Sequence, residues 1–138
     1  MQAILFVCSY NSVRSPMAAA LLSHLSHKPF YVQSAGIELK DIDGYAIAVL
    51  KEEGLDISHH QGQVLANIRD RNFDKVIALS EAAYSAAQKW IGSYAIDLEY
   101  WNIDEPIYSP KREETLASFR HIRNELKTQI QKEILEIF

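Results

Sequence analysis

The chain has 138 residues, 48% of them hydrophobic and 23% charged, with a formal charge of −4 at pH 7. That balance suits one globular domain with a proper core, and it offers no basic footprint for nucleic acid. No apolar run approaches the roughly 18 residues of a membrane span, and the first residues lack a charged leader and cleavage site, so neither a membrane nor secretion is expected. The single cysteine, Cys8, can form no internal disulfide, and a reactive thiol needs a reducing compartment, so the cytoplasm is expected.

In chain order, Ala3-Ile4-Leu5-Phe6-Val7 is continuously apolar and reads as a buried strand. Ser15-Pro16 then reads as a helix start, with Ser15 as N-cap, Pro16 at the first helical position and the helix running to about residue 27. Residues 30 to 34 give a second strand. Residues 43 to 53 show helical spacing through Ala46, Val49 and Leu50, with Gly54 where a C-cap glycine belongs. A looser segment runs to Arg71; residues 74 to 79 give a third strand, 81 to 90 a helix stopped by Gly92, and 95 to 101 a fourth strand. The last segment, 111 to about 137, places Leu116, Phe119, Ile122, Leu126, Ile130 and Ile134 on one helical face that packs on the sheet. Alternating strands and helices imply a three-layer α/β domain: a parallel sheet with right-handed crossovers and helices on both faces. In such sheets ligands bind beyond the carboxyl ends of the strands, beside the first one.

Cys8 stands there. A tight loop feeding a helix N-terminus gathers backbone N–H groups into one concavity, which holds an oxyanion and favours thiolate over thiol at its floor. Arg14, six positions on, supplies a planar fork for two oxygens of a phosphoryl group. The hydroxyl of Ser15 is placed to donate to the sulfur and help it leave as thiolate. The polar residues Ser9, Asn11 and Ser12 fit an anion loop and do not fit an inert core cysteine.

The segment from Val7 to Pro16 resembles the phosphate loop of the low-molecular-weight protein tyrosine phosphatases and of the arsenate reductases that share their fold. The likeness continues at Ser34-Ala35-Gly36, Gly54-Leu55 through Ser58-His59, Phe73 to Leu79, Trp101 to Pro106 and Phe119 to Arg123, so it covers nearly the whole chain. It implies a four-stranded sheet in the order 2-1-3-4. It also implies oxyanion binding by the backbone of Ser9, Tyr10, Asn11, Ser12, Val13 and Arg14, and an asparagine, Asn11, held in a hydrogen-bond network with Ser15, Ser34 and His59.

The family's general acid is an aspartate immediately before a proline. Here Glu105 precedes Pro106 and Asp104 lies one place earlier; position favours Glu105 and residue type Asp104, and both can also be plain solvated loop carboxylates. The family's usual glycine is replaced by Tyr10, and its second cysteine by Val13, which removes the partner of a protective disulfide. Tyr45 and Tyr108 are candidate walls for an aryl group, or ordinary half-exposed tyrosines. His59 and His60 are adjacent, and with His24, His27 and His121 they suggest no compact His/Asp/Glu set, so neither metal nor other cofactor is expected.

The resemblance therefore implies a phosphomonoester hydrolase working through a cysteinyl-phosphate. Its substrate would be a phosphotyrosine protein or small aryl phosphate, with phosphate, sulfate and arsenate as oxyanion ligands. The competing reading is an arsenate reductase. Ser80 and Ala87 stand where thioredoxin-coupled relatives carry relay cysteines, so only a version using an external thiol such as glutathione, with glutaredoxin, or mycothiol survives. A phosphate-binding module without catalysis is a third reading.

Overall fold

The computed structural model describes residues 1–138. It contains β1 (Gln2–Cys8), α1 (Arg14–Leu25), β2 (Phe30–Gly36), α2 (Gly44–Lys51), β3 (Lys75–Ala78), α3 (Glu81–Ile91), β4 (Asp97–Tyr100) and α4 (Arg112–Ile130), with a short 3₁₀ turn at Leu65–Asn67. The four strands form one parallel sheet in the order β2-β1-β3-β4, as the resemblance implies.

The side-chain alternation of β1 divides the core. Ile4, Phe6 and Cys8 face one side and join the buried faces of α1, α2 and α4; Ala3, Leu5 and Val7 face the other and meet α3 through Ala83, Ala87 and Trp90. Both faces of β1 are buried, which is why its sequence is an unbroken apolar run rather than an alternating one. The stripe from Leu116 to Ile134 is buried throughout, each such side chain contributing about 1.5–3 kcal/mol of transfer free energy.

Most differences from the sequence expectations lie at element ends. β3 and β4 are shorter than predicted because they end with their partners: β3 pairs with β4 only from Lys75↔Asp97 to Ala78↔Tyr100. α4 widens after Ile130 into a π-helical stretch, Gln131–Leu135, in which Glu136 N donates to Gln131 O at 3.0 Å.

At α1 the difference is chemical. The helix begins at Arg14, with Val13 at the N-cap and no side-chain cap, so Ser15 is not the N-cap; its hydroxyl is engaged elsewhere. The first turn also carries no acidic side chain, which leaves the positive end of the helix dipole open to an external anion.

Candidate active site

β1 delivers Cys8 to the carboxyl edge of the sheet between β2 and β3, the switch point of the strand order. The turn that follows is fixed from outside by segment 37–43. The Cys8 and Ser9 carbonyls accept from Ile37 N, Ser9 O also from Glu38 N, Tyr10 O from Lys40 N and Ser12 O from Asp43 N. Ser12 Oγ returns a bond to Asp41 O at 2.8 Å. With its carbonyls turned outward, the loop spends none of the N–H groups of Ser9 to Val13 on another backbone group. Successive N–H groups left without an internal acceptor ahead of a helix N-terminus suit an oxyanion.

Asn11 holds the turn in shape. It is the one non-glycine residue with positive φ (50°), a left-handed geometry that asparagine tolerates. Its buried amide uses its full capacity: Nδ2 donates to Ser15 Oγ at 2.8 Å and Ser34 Oγ at 3.0 Å, while Oδ1 accepts from Gln63 N at 3.1 Å and His60 Nε2 at 3.2 Å. The network implied for Ser15 and Ser34 is therefore present. The imidazole is His60, not His59, which is exposed. His60 Nε2 faces two acceptors, Asn11 O and Oδ1, so it carries the proton. Burial pushes the His60 imidazole below its ordinary value, against the opposing pull of its bond to the Asn11 carbonyl.

Ser15 connects this scaffold to the thiol. Its Oγ lies 2.9 Å from Cys8 Sγ, and its backbone N–H points at the same sulfur from 3.4 Å. Because Oγ accepts from Asn11, its own proton is free to go to the sulfur or to Ala35 O, 3.3 Å away.

Arg14 is buried and held from behind. Nη1 donates to Leu79 O at 3.1 Å and Ile103 O at 3.0 Å, which leaves the Nε and Nη2 edge for an anion and fixes the plane of the guanidinium. Leu79 follows β3 and Ile103 follows β4, so the arginine ties the loop carrying the candidate acids to the sheet. From that loop, Glu105 Oε1 approaches Arg14 Nη2 to 3.9 Å. Asp104 turns away and meets His121 on α4 at 3.3 Å. The fold thus separates the two adjacent carboxylates that the sequence left open, and it gathers Asp104, His121 and Glu125 into a compact set that the sequence did not suggest.

Cys8, Tyr10, Ser12, Val13, Arg14, Lys40, Glu105, Pro106 and Tyr108 line one cavity of 360 Å³. Tyr108 forms part of its wall; its hydroxyl donates to Asp43 Oδ2, and burial together with that carboxylate pushes the phenol well above its ordinary value. Tyr45 stands behind it, edge to face at 6.3 Å, and does not line the cavity. Lys40 is a lining residue that no sequence signal marked: its Nζ sits 4.0 Å over the Tyr10 ring, placing a cation on the rim. Ser9 reaches the other way, 3.4 Å from the hydroxyl of Ser80, which caps α3 through Ala83 N.

The chain is 28% identical over 137 residues to the glutaredoxin arsenate reductase of Synechocystis sp., covering 99% of both. It is 33% identical over 132 residues to arsenate reductase 2 of Staphylococcus epidermidis, covering 93% of this chain and 92% of that one. The solved low molecular weight protein tyrosine phosphatase of T. tengcongensis superposes with a TM-score of 0.81 at 25% identity, with 99% of each chain covered. Residues 3–137 match the family described as low molecular weight phosphotyrosine protein phosphatase. The phosphate-type loop and sheet order built up above are thus those of a known lineage, and the chain belongs to the low molecular weight phosphotyrosine protein phosphatase family.

Proposed function

We propose that the protein is a phosphomonoester hydrolase acting on phosphotyrosine or a small aryl phosphate. Carrying this reading is the meeting of Glu105 with Cys8 and Arg14 in one cavity, in a chain with no second cysteine. The Cys8 thiolate attacks phosphorus as the P–O bond breaks, and Glu105 gives its proton to the departing aryl oxygen. Arg14 and the N–H groups of Ser9 to Arg14 hold the three equatorial oxygens. Glu105, now a carboxylate, takes a proton from water as water attacks phosphorus. The P–S bond breaks with its electron pair on sulfur, where the Ser15 hydroxyl stabilises the thiolate. Tyr108 and Tyr10 supply aromatic walls for the leaving group.

The second reading, arsenate reduction, is favoured by the names of the curated relatives. Cys8 would attack arsenic in place of phosphorus, and with Ser80 beside the loop instead of a thiol, an external thiol has to supply the electrons. Purified protein assayed with p-nitrophenyl phosphate, and in parallel with arsenate, glutathione and glutaredoxin, separates the two. Hydrolysis abolished by Cys8→Ser supports the phosphatase; thiol-dependent arsenite release without hydrolysis overturns it.

A further inference from the structure

We propose that Asp104, His121 and Glu125 form a binding site for one divalent transition-metal ion of the zinc type, outside the phosphate cavity. His121 and Glu125 stand one turn apart on α4 and so share a face; Asp104 is brought to them by the loop after β4. The three ligating atoms lie within 4.8 Å of one another. His121 Nε2 is 3.3 Å from Asp104 Oδ2 and 3.1 Å from Glu125 Oε1. A tetrahedral zinc ion with bonds of 2.0–2.2 Å has ligand-to-ligand edges of about 3.4 Å, so two of the three edges already have the right length. Asp104 and His121 are more than half exposed, free to rotate and close the third.

The hydrogen bonding inside the cluster points to a cation. A neutral imidazole has one N–H, and here two carboxylates converge on the same nitrogen. The geometry gives that bond to Asp104, while Glu125 Oε1, itself shielded although the side chain is 28% exposed, lies 3.1 Å from the same nitrogen without a hydrogen bond. A metal ion held by all three groups would give this oxygen a partner and let one imidazole serve both carboxylates. One imidazole with two carboxylates suits zinc, cobalt or nickel better than magnesium or calcium, which favour all-oxygen shells. The adjoining cleft of 370 Å³, lined by His121, Asn124, Glu125, Thr128 and Gln129 with no hydrophobic residue among them, gives water access to complete the shell. The alternative, a protonated His121 bridging two carboxylates at the surface, needs no ion.

The test uses metal-free Cys8→Ser protein, so that the active-site sulfur cannot bind the probe. Titration calorimetry with Zn²⁺ should show one equivalent bound, and Co²⁺ should give the visible absorption of a low-symmetry site. His121→Gln and Asp104→Asn should each weaken Zn²⁺ binding by roughly tenfold or more, since losing even an outer-shell partner costs 10–100-fold. His59→Gln should leave it unchanged. Absence of Zn²⁺ binding, binding indifferent to both His121→Gln and Asp104→Asn, or binding lost in His59→Gln would overturn the proposal.

Discussion

Ser15 Oγ lies 2.9 Å from Cys8 Sγ while accepting the Asn11 amide at 2.8 Å, so the hydroxyl that faces the sulfur is oriented by the residue that shapes the loop. A hydroxyl held in this way is most useful when the sulfur carries charge. In the proposed reaction that moment is the second step, when thiolate leaves phosphorus. A hydrogen bond to a charged group contributes about 1.5–3 kcal/mol, which is roughly 10- to 100-fold in rate. Ser15→Ala is therefore expected to lower kcat by that factor and to make phosphoenzyme breakdown limiting. Stopped-flow release of nitrophenolate should then show a burst close to one equivalent. A loss of kcat without a burst would place the role of Ser15 in the first step or in folding.

The opposite orientations of Asp104 and Glu105 set a second expectation. Glu105 lines the cavity of Cys8 and Arg14, and Asp104 is turned toward His121. General acid catalysis typically contributes about 10²–10⁴-fold, and most where the leaving group is a poor one. Glu105→Gln should reduce kcat for phenyl phosphate within that range and for p-nitrophenyl phosphate by less. Asp104→Asn should change neither appreciably. Equal effects of the two amides on phenyl phosphate would remove Glu105 from the role.

How much of this was readable beforehand depended on the range of the interaction. The Ala3–Val7 strand and the Leu116–Ile134 stripe were legible because burial on both faces, or on one helical face, writes itself into local periodicity. That Cys8 and Arg14 meet in one cavity was legible because they stand six positions apart on one strand-to-helix turn. Ser-Pro is a strong local helix signal and points to Ser15 as an N-cap, which it is not. Its hydroxyl had stronger partners in Cys8 and Asn11, one of them on the preceding strand. Sequence does not separate His60 from its neighbour His59, because the turn at Ile57–His60, closed by His60 N to Ile57 O, decides which ring faces Asn11, and no periodicity reports that. Lys40 and the Asp104–His121–Glu125 set arise wholly from tertiary contact. The chain folds a lysine from segment 37–43 over Tyr10, and α4 beneath the acid loop.

Gly36 tests the support of the loop rather than its chemistry. It pairs with Cys8 at the end of β2, and a Cβ added there would sit 2.4 Å from Glu38 O, 2.7 Å from Asn11 N and 2.8 Å from Tyr10 C, all backbone atoms. Backbone cannot move aside as a side-chain tip can, so the loop itself must shift. Gly36→Ala should destabilise the fold by at least about 1–3 kcal/mol, the usual cost of overpacking. It should also abolish the rise in melting temperature that inorganic phosphate is expected to give the wild type if the loop binds it. A variant that melts lower yet keeps the full phosphate shift would mean that the loop absorbs the methyl group without losing its shape.

The clamp between α2 and α4 predicts the acid limb of stability. Glu52, the residue after α2, accepts from Arg120 at 2.8 Å and from Arg123 at 2.7 Å; these hydrogen bonds, first to Arg120 and then to Arg123, lower its carboxyl from 4.5 to about 2. Its neighbour Glu53 is lowered as well, chiefly by Lys127. A carboxyl whose folded value lies below its unfolded one binds more protons when unfolded, so its contribution is complete above the unfolded value and disappears as pH falls through the folded one. Stability should therefore decline between about pH 5 and 2. Glu52→Gln should flatten that limb without erasing it, because Glu53 remains. The Glu52 side chain is 40% exposed, so the solvent screens the pair and the difference between wild type and variant should shrink further in 1 M salt. Melting temperatures measured from pH 7 to 2 at low and high salt check this. Parallel curves for wild type and Glu52→Gln at low salt would show that the clamp is a surface contact with no bearing on stability.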